Sequence, residues 1–126
     1  MTPLIFALVA LAGGLGAAAR LALDGIIRTR VSSAFPWATI IINVTGSLLL
    51  GVLAGLAAGH LVSDASYAIV GAGFLGGYTT FSTASFETVR LLQERKWLAG
   101  AVNGLGVLAA TTLAAALGVW IGGTLS

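Results

Sequence analysis

Charge is what this chain has least of. Asp, Glu, Lys and Arg make up 8% of its 126 residues, against 58% hydrophobic residues and a mean hydropathy of +1.04. A soluble domain keeps about a quarter of its residues charged to cover its surface. A water-facing surface is therefore excluded over most of the molecule, which must meet lipid instead. Cysteine is absent, which excludes disulfides and thiolate metal sites. His60 is the single histidine, and no base stands beside a nucleophile, so the parts of an enzyme active site are missing. The basic excess is small, and no basic cluster is interleaved with aromatics, which argues against nucleic acid as a partner.

The gaps between charges organise what is present. Residues 1–19, 65–86 and 97–126 carry no charge, and only His60 interrupts 31–63. A helix needs about 20 apolar residues to cross a hydrocarbon core, and each gap supplies one. The sequence thus predicts an all-α membrane protein: a single domain over 1–126 with four transmembrane helices at about 3–24, 36–59, 66–91 and 98–122. Met1-Thr2-Pro3 lacks the Lys or Arg that a cleaved signal wants, so the first gap reads as a span despite Ala17-Ala18-Ala19.

Orientation follows from the connections. Arg28 and Arg30 belong to the first, Arg90, Arg95 and Lys96 to the third, and the second (HLVSDA) has no Lys or Arg. That bias predicts the first and third connections inside and both termini outside. Trp37 and Trp97 begin spans on the basic side, while Tyr67 and Trp120 mark the other interface. Pro36 suits a first helical turn, with Ser33 as its expected cap.

Glycine is abundant, with 18 residues. Gly51-x-x-x-Gly55-x-x-x-Gly59 and Gly118-x-x-x-Gly122 form stripes that let helix backbones approach closely. The stretch GAGFLGGYTTFSTASF opens with Gly71-x-Gly73-x-x-Gly76, the letters of a dinucleotide-binding loop. That loop needs strands on either side, and nothing between Thr79 and Gln93 looks like one. Inside a membrane span, Gly76-Gly77-Tyr78-Thr79-Thr80 supports two readings. One is a helix break whose freed carbonyls and N–H groups line an ion site. The other is a continuous packing face with threonines bonded back to the preceding turn.

Polar residues recur at helical spacing around it. Thr39, Asn43 and Ser47 share one face of the second span, where Asn43 either bridges helices or offers its amide donors to a pathway. Thr79, Ser82, Thr83 and Ser85 surround Phe81, whose ring edge is positive and suits a small anion. Thr111 and Thr112 extend a possible polar track, and Asn103 adds a weaker candidate. No Asp, Glu or Lys sits mid-span, unlike a proton-coupled transporter. Arg20 is the one charge near the first span's core, placed either to snorkel or to draw anions to a vestibule.

GFLGGYTTFSTASFE resembles the GGxTTFSTFSxE signature of the Fluc/CrcB family of fluoride channels, and Arg20 in GAAAR, the Thr39–Asn43 pair and the four-span length extend the resemblance over the whole chain. It implies a fluoride-selective channel in the bacterial plasma membrane that lowers cytoplasmic fluoride, built as an antiparallel dimer with two pores. It implies a third helix broken near its middle, with the backbone carbonyls of Gly77 and Thr80 binding a structural sodium ion. Asn43 and Phe81 would line the fluoride pathway, Ser82, Thr83 and Thr39 would contribute to its polar track, and Arg20 would stand at a vestibule. The chain departs from the signature at Ala84, where a second phenylalanine is usual. Its lopsided Lys/Arg distribution leaves two assemblies open: a homodimer, or a heterodimer with an oppositely oriented related chain. Competing functions are a small multidrug-type exporter and a non-conducting membrane assembly subunit.

Overall fold

Thr2 starts the first helix, α1 (Pro3–Arg30): its Oγ1 accepts from the Ile5 N–H at 3.2 Å, and Pro3 occupies a position where no intrahelical N–H is needed. The computed structural model describes residues 2–126, which are 86% helical, with no strand among them. Helix α1 runs past its expected end at 24 because Arg28 pairs with Asp24 one turn earlier at 3.0 Å. In the turn that follows, Ser33 Oγ accepts from the Phe35 N–H at 3.1 Å. The expected cap is therefore spent inside the turn, and α2 (Trp37–Ala58) begins at Pro36 without a side-chain cap.

The third membrane segment is two helices. Helix α3 covers residues 64–78, with wide π-type turns over Tyr67–Leu75, and Ser63 caps it through the Ser66 N–H at 3.1 Å. Thr79 and Thr80 are extended, with ψ 159 and ψ 117. Helix α4 (Phe81–Gln93) then resumes, leaving the whole segment bent by 23°. Helix α5 (Trp97–Leu125) completes the set and includes one π-type stretch, Val102–Gly106. Helices α1, α2 and α5 are long and apolar enough to cross a membrane; α3 and α4 share the third membrane segment between them. Helices α2 and α4 both end in Schellman turns, with His60 at φ 63 and Arg95 at φ 60 in the left-handed position.

Backbone proximity holds the helices together. Gly51, Gly55, Gly118 and Gly122 form the α2–α5 seam, where a Cβ on Gly55 would stand 2.5 Å from the Val119 carbonyl oxygen. On the other side, Gly16 and Gly77 press α1 and α3 together: a Cβ on Gly16 would strike the Phe74 carbonyl, and one on Gly77 the Gly13 carbonyl. Gly73 belongs to the same seam, with Val9 O and the Ala12 Cβ each 2.9 Å from its would-be Cβ. Small residues supply this closeness because lipid gives apolar side chains no reason to leave it. Leu4, Phe6, Leu15, Leu113 and Trp120 accordingly remain exposed. The basic connections meet at one end, where Arg90 Nη2 donates to Ala34 O at 3.2 Å and Arg28 lies 3.6 Å from the buried Glu87.

Candidate functional site

The break falls at Thr79–Thr80, two residues beyond the glycine pair expected to cause it. Gly76 and Gly77 stay helical, and Gly77 serves the close approach to α1. The threonines turn the chain instead. Thr79 Oγ1 donates back to Leu75 O at 3.0 Å, while Thr80 Oγ1 accepts from the Thr83 N–H at 3.1 Å and so caps α4. Gly46 of α2 leaves room for the bend, since a Cβ there would strike the Thr79 methyl. Tyr78 anchors the end of α3 through a 3.0 Å hydrogen bond with Thr45.

Asn43 fixes the extended residue from α2. Its Nδ2 donates to Thr80 O at 2.8 Å, and its Oδ1 accepts from the Thr80 N–H at 2.8 Å. One side-chain amide thus replaces both partners that Thr80 lost when the helix broke. The amide is nearly buried and retains one further N–H. Among the described residues beyond the break, no backbone N–H returns to the carbonyls of Gly76 or Gly77. Gly77 O instead receives Arg20 Nε at 3.4 Å, at the long limit of such a bond. Arg20 makes no ion pair with any described residue.

The expected site residues fall into two neighbouring spaces that share Thr80. A groove of about 300 Å³ is lined by Asn43, Thr80 and Phe81, together with Ala84, Ser85 and Asn103. A smaller cavity of about 110 Å³ holds Arg20, Thr39 and Thr83 beside Asp24 and Thr80. Thr39 is buried there, on the α2 face it shares with Asn43. Phe81 is 87% exposed although it sits at the break. Ser82 lines neither space; its exposed hydroxyl lies 3.4 Å from that of Thr80.

Thr88 and Asn103 were under-read in the sequence. Asn103 is only 2% exposed, and its Nδ2 donates to Thr88 Oγ1 at 2.7 Å. The π-type stretch Val102–Gly106 sets its direction on α5, and a 3.6-residue count does not foresee such a turn. For cations, no described cluster of His, Cys, Asp or Glu offers a site. At the break, the carbonyls of Gly77 and Thr80 each accept one side-chain bond and keep a second lone pair.

The sequence profile described as CrcB-like protein, Camphor Resistance (CrcB), matches residues 7–121. A protein of Leifsonia xyli subsp. xyli named fluoride-specific ion channel FluC 1 is 54% identical over 123 residues, covering 98% of this chain and 90% of that protein. One of Cutibacterium acnes named fluoride-specific ion channel FluC 2 is 48% identical over 115 residues, covering 90% and 94%. A FluC 2 of Mycobacterium bovis is 40% identical over 121 residues, covering 96% and 93%. With a family profile matched across nearly its whole length and relatives this similar, the chain belongs to the CrcB family of multi-pass membrane proteins.

Proposed function

We propose that this chain is the subunit of a fluoride-specific channel that lets fluoride leave the bacterial cytoplasm passively, without a catalytic step. The relatives' shared name supports the ion. The observation that carries the reading is a helix break fixed from a neighbouring helix by Asn43, beside a polar groove. An ion entering such a groove exchanges water for fixed donors, and conduction requires that each exchange be nearly balanced. Asn43 contributes its remaining amide N–H, and Phe81 contributes a positive ring edge. Thr39 and Thr83 continue the polar track toward Arg20, and the Ser82 hydroxyl flanks it beside Thr80; the Arg20 guanidinium, in no ion pair among the described residues, raises the local anion concentration at a vestibule.

The working unit in this reading is an antiparallel dimer. An aromatic ring left 87% exposed at a polar break gains cover from a second chain. The partner is either a second copy or a related chain of opposite orientation. Gly77 and Thr80 fit one half of a sodium site, because carbonyl oxygens are hard donors and each keeps a free lone pair. Sodium there would supply a fixed positive charge that locks the two breaks together. Arg20 sharing Gly77 O would have to yield or tilt beside that ion.

The test is fluoride resistance in a bacterium deprived of its own fluoride export. Expression of this chain restores growth in fluoride, and Asn43→Ala or Phe81→Ile abolishes the rescue at equal membrane abundance. Rescue that survives both substitutions would remove these residues from the fluoride pathway, and absence of rescue by the unaltered chain would favour a non-conducting role.

A further inference from the structure

Which donors in the groove are free? Thr79, Thr88 and Thr111 have spent their hydroxyl hydrogens on the preceding turn, at 3.0, 3.0 and 2.8 Å from Leu75 O, Ala84 O and Val107 O. Ser47 and Ser85 also line the groove, and neither hydroxyl has a partner among the described residues. Asn103 holds Thr88 Oγ1 tightly at 2.7 Å, but its Nδ2 lies 3.5 Å from Ala84 O. That second contact is at the long limit of a hydrogen bond, so it holds this amide hydrogen only weakly. Ala84 leaves the space beside it open, because its side chain is a single methyl group. No charged side chain lines the groove.

We infer that the groove contains a small-anion position between Ser85 on α4 and Asn103 on α5, separate from the Asn43–Phe81 pair and made accessible by Ala84. The ligand is a compact anion that accepts hydrogen bonds, fluoride on the channel reading above, on which the inference rests. The anion takes the Ser85 O–H and trades the long Asn103–Ala84 contact for a short one to the same amide. Ser47, across the groove on α2, offers the next hydroxyl toward Asn43. Uncharged donors hold the ion weakly enough for it to leave, which passage requires.

The experiment is fluoride efflux from liposomes carrying the full chain, alone or with an oppositely oriented relative if conduction needs one. Each variant is compared at matched incorporation. Ser85→Ala and Asn103→Leu each lower flux about tenfold, the weight of one hydrogen bond to a charged group. Thr88→Val is the discriminating variant, because it cuts the Asn103 latch without removing either proposed donor. It keeps at least half the flux if Asn103 acts on the anion. Equal losses in Thr88→Val and Asn103→Leu would make Asn103 a helix latch and overturn the inference, as would full flux in Ser85→Ala. Should Asn103→Leu fail to assemble, Ser85→Ala decides alone, since the Ser85 hydroxyl bonds to no other helix among the described residues. Wild-type flux with indifferent variants removes only this position; wild-type silence under both pairings removes the channel reading with it.

Discussion

Replacing Asn43 by alanine removes both hydrogen bonds that hold Thr80, each 2.8 Å long. If Asn43 were ordinary interhelical glue, the loss would be about 0.6 kcal/mol, since polar side chains freed within a membrane usually find new partners. Thr80 has no such freedom. Its N–H and C=O are backbone groups at a fixed break, and leaving each unpaired costs about 1–3 kcal/mol. The expected destabilisation of Asn43→Ala is therefore about 2–6 kcal/mol, well clear of the glue value. Asn43→Asp separates the two halves of the clamp: it keeps an acceptor for the Thr80 N–H but sets an oxygen against the Thr80 carbonyl. Reversible unfolding of the purified protein measures the energy, and hydrogen exchange at the Thr80 amide reports the bond itself. Alanine opens that amide to exchange, whereas aspartate protects it while still losing stability. A loss below 1 kcal/mol with the Thr80 amide still protected in Asn43→Ala would refute the clamp.

Other substitutions probe separate links of the same account. Phe81→Ile lowers fluoride flux at least tenfold in the liposome assay while leaving the unfolding midpoint of the single chain nearly unchanged, because the ring is exposed and contributes little to its core. His60→Gly raises stability by about 1 kcal/mol, by relieving a non-glycine residue held at φ 63; a fall in the unfolding midpoint would contradict that assignment. Gly77→Val drives a side chain into the Gly13 carbonyl and separates α1 from α3. It is expected to cost about 3 kcal/mol or more, seen as loss of folded protein from the membrane fraction.

Much of the architecture was legible in the sequence because lipid imposes simple demands. Gaps between charges set the four helical segments, and the small-residue stripes of α2 and α5 meet as their spacing predicts. The break was legible as one of two readings of the stretch Gly76–Thr80, and it falls within that stretch, at the threonines rather than the glycine pair. Adjacent glycines look like weak points in a helix, yet here they serve approach to α1, and the turning is done by threonine hydroxyls and a side chain 37 positions away. Local propensity cannot contain that partner. Gly71-x-Gly73-x-x-Gly76, dismissed as a nucleotide motif, proves to be packing: Gly73 faces α1, while Gly71 faces Leu50 and Leu53 of α2. Ser33 illustrates the limit of capping rules, since its hydroxyl found a nearer N–H at Phe35. Thr39 and Asn43 share a helix face, as their spacing requires, yet they line different spaces that meet at Thr80. Asn103 stood alone in the sequence because its partner, Thr88, lies 15 positions away on another helix.

The most direct measurement is ion efflux from liposomes that contain only this purified chain, with chloride as the comparison ion. The account predicts rapid fluoride efflux, no chloride efflux, and no dependence on a proton gradient. Silence from this chain alone that is relieved by an oppositely oriented relative would place the function in a heterodimer. Chloride flux equal to fluoride, or fluoride movement only with a proton gradient, would contradict the account.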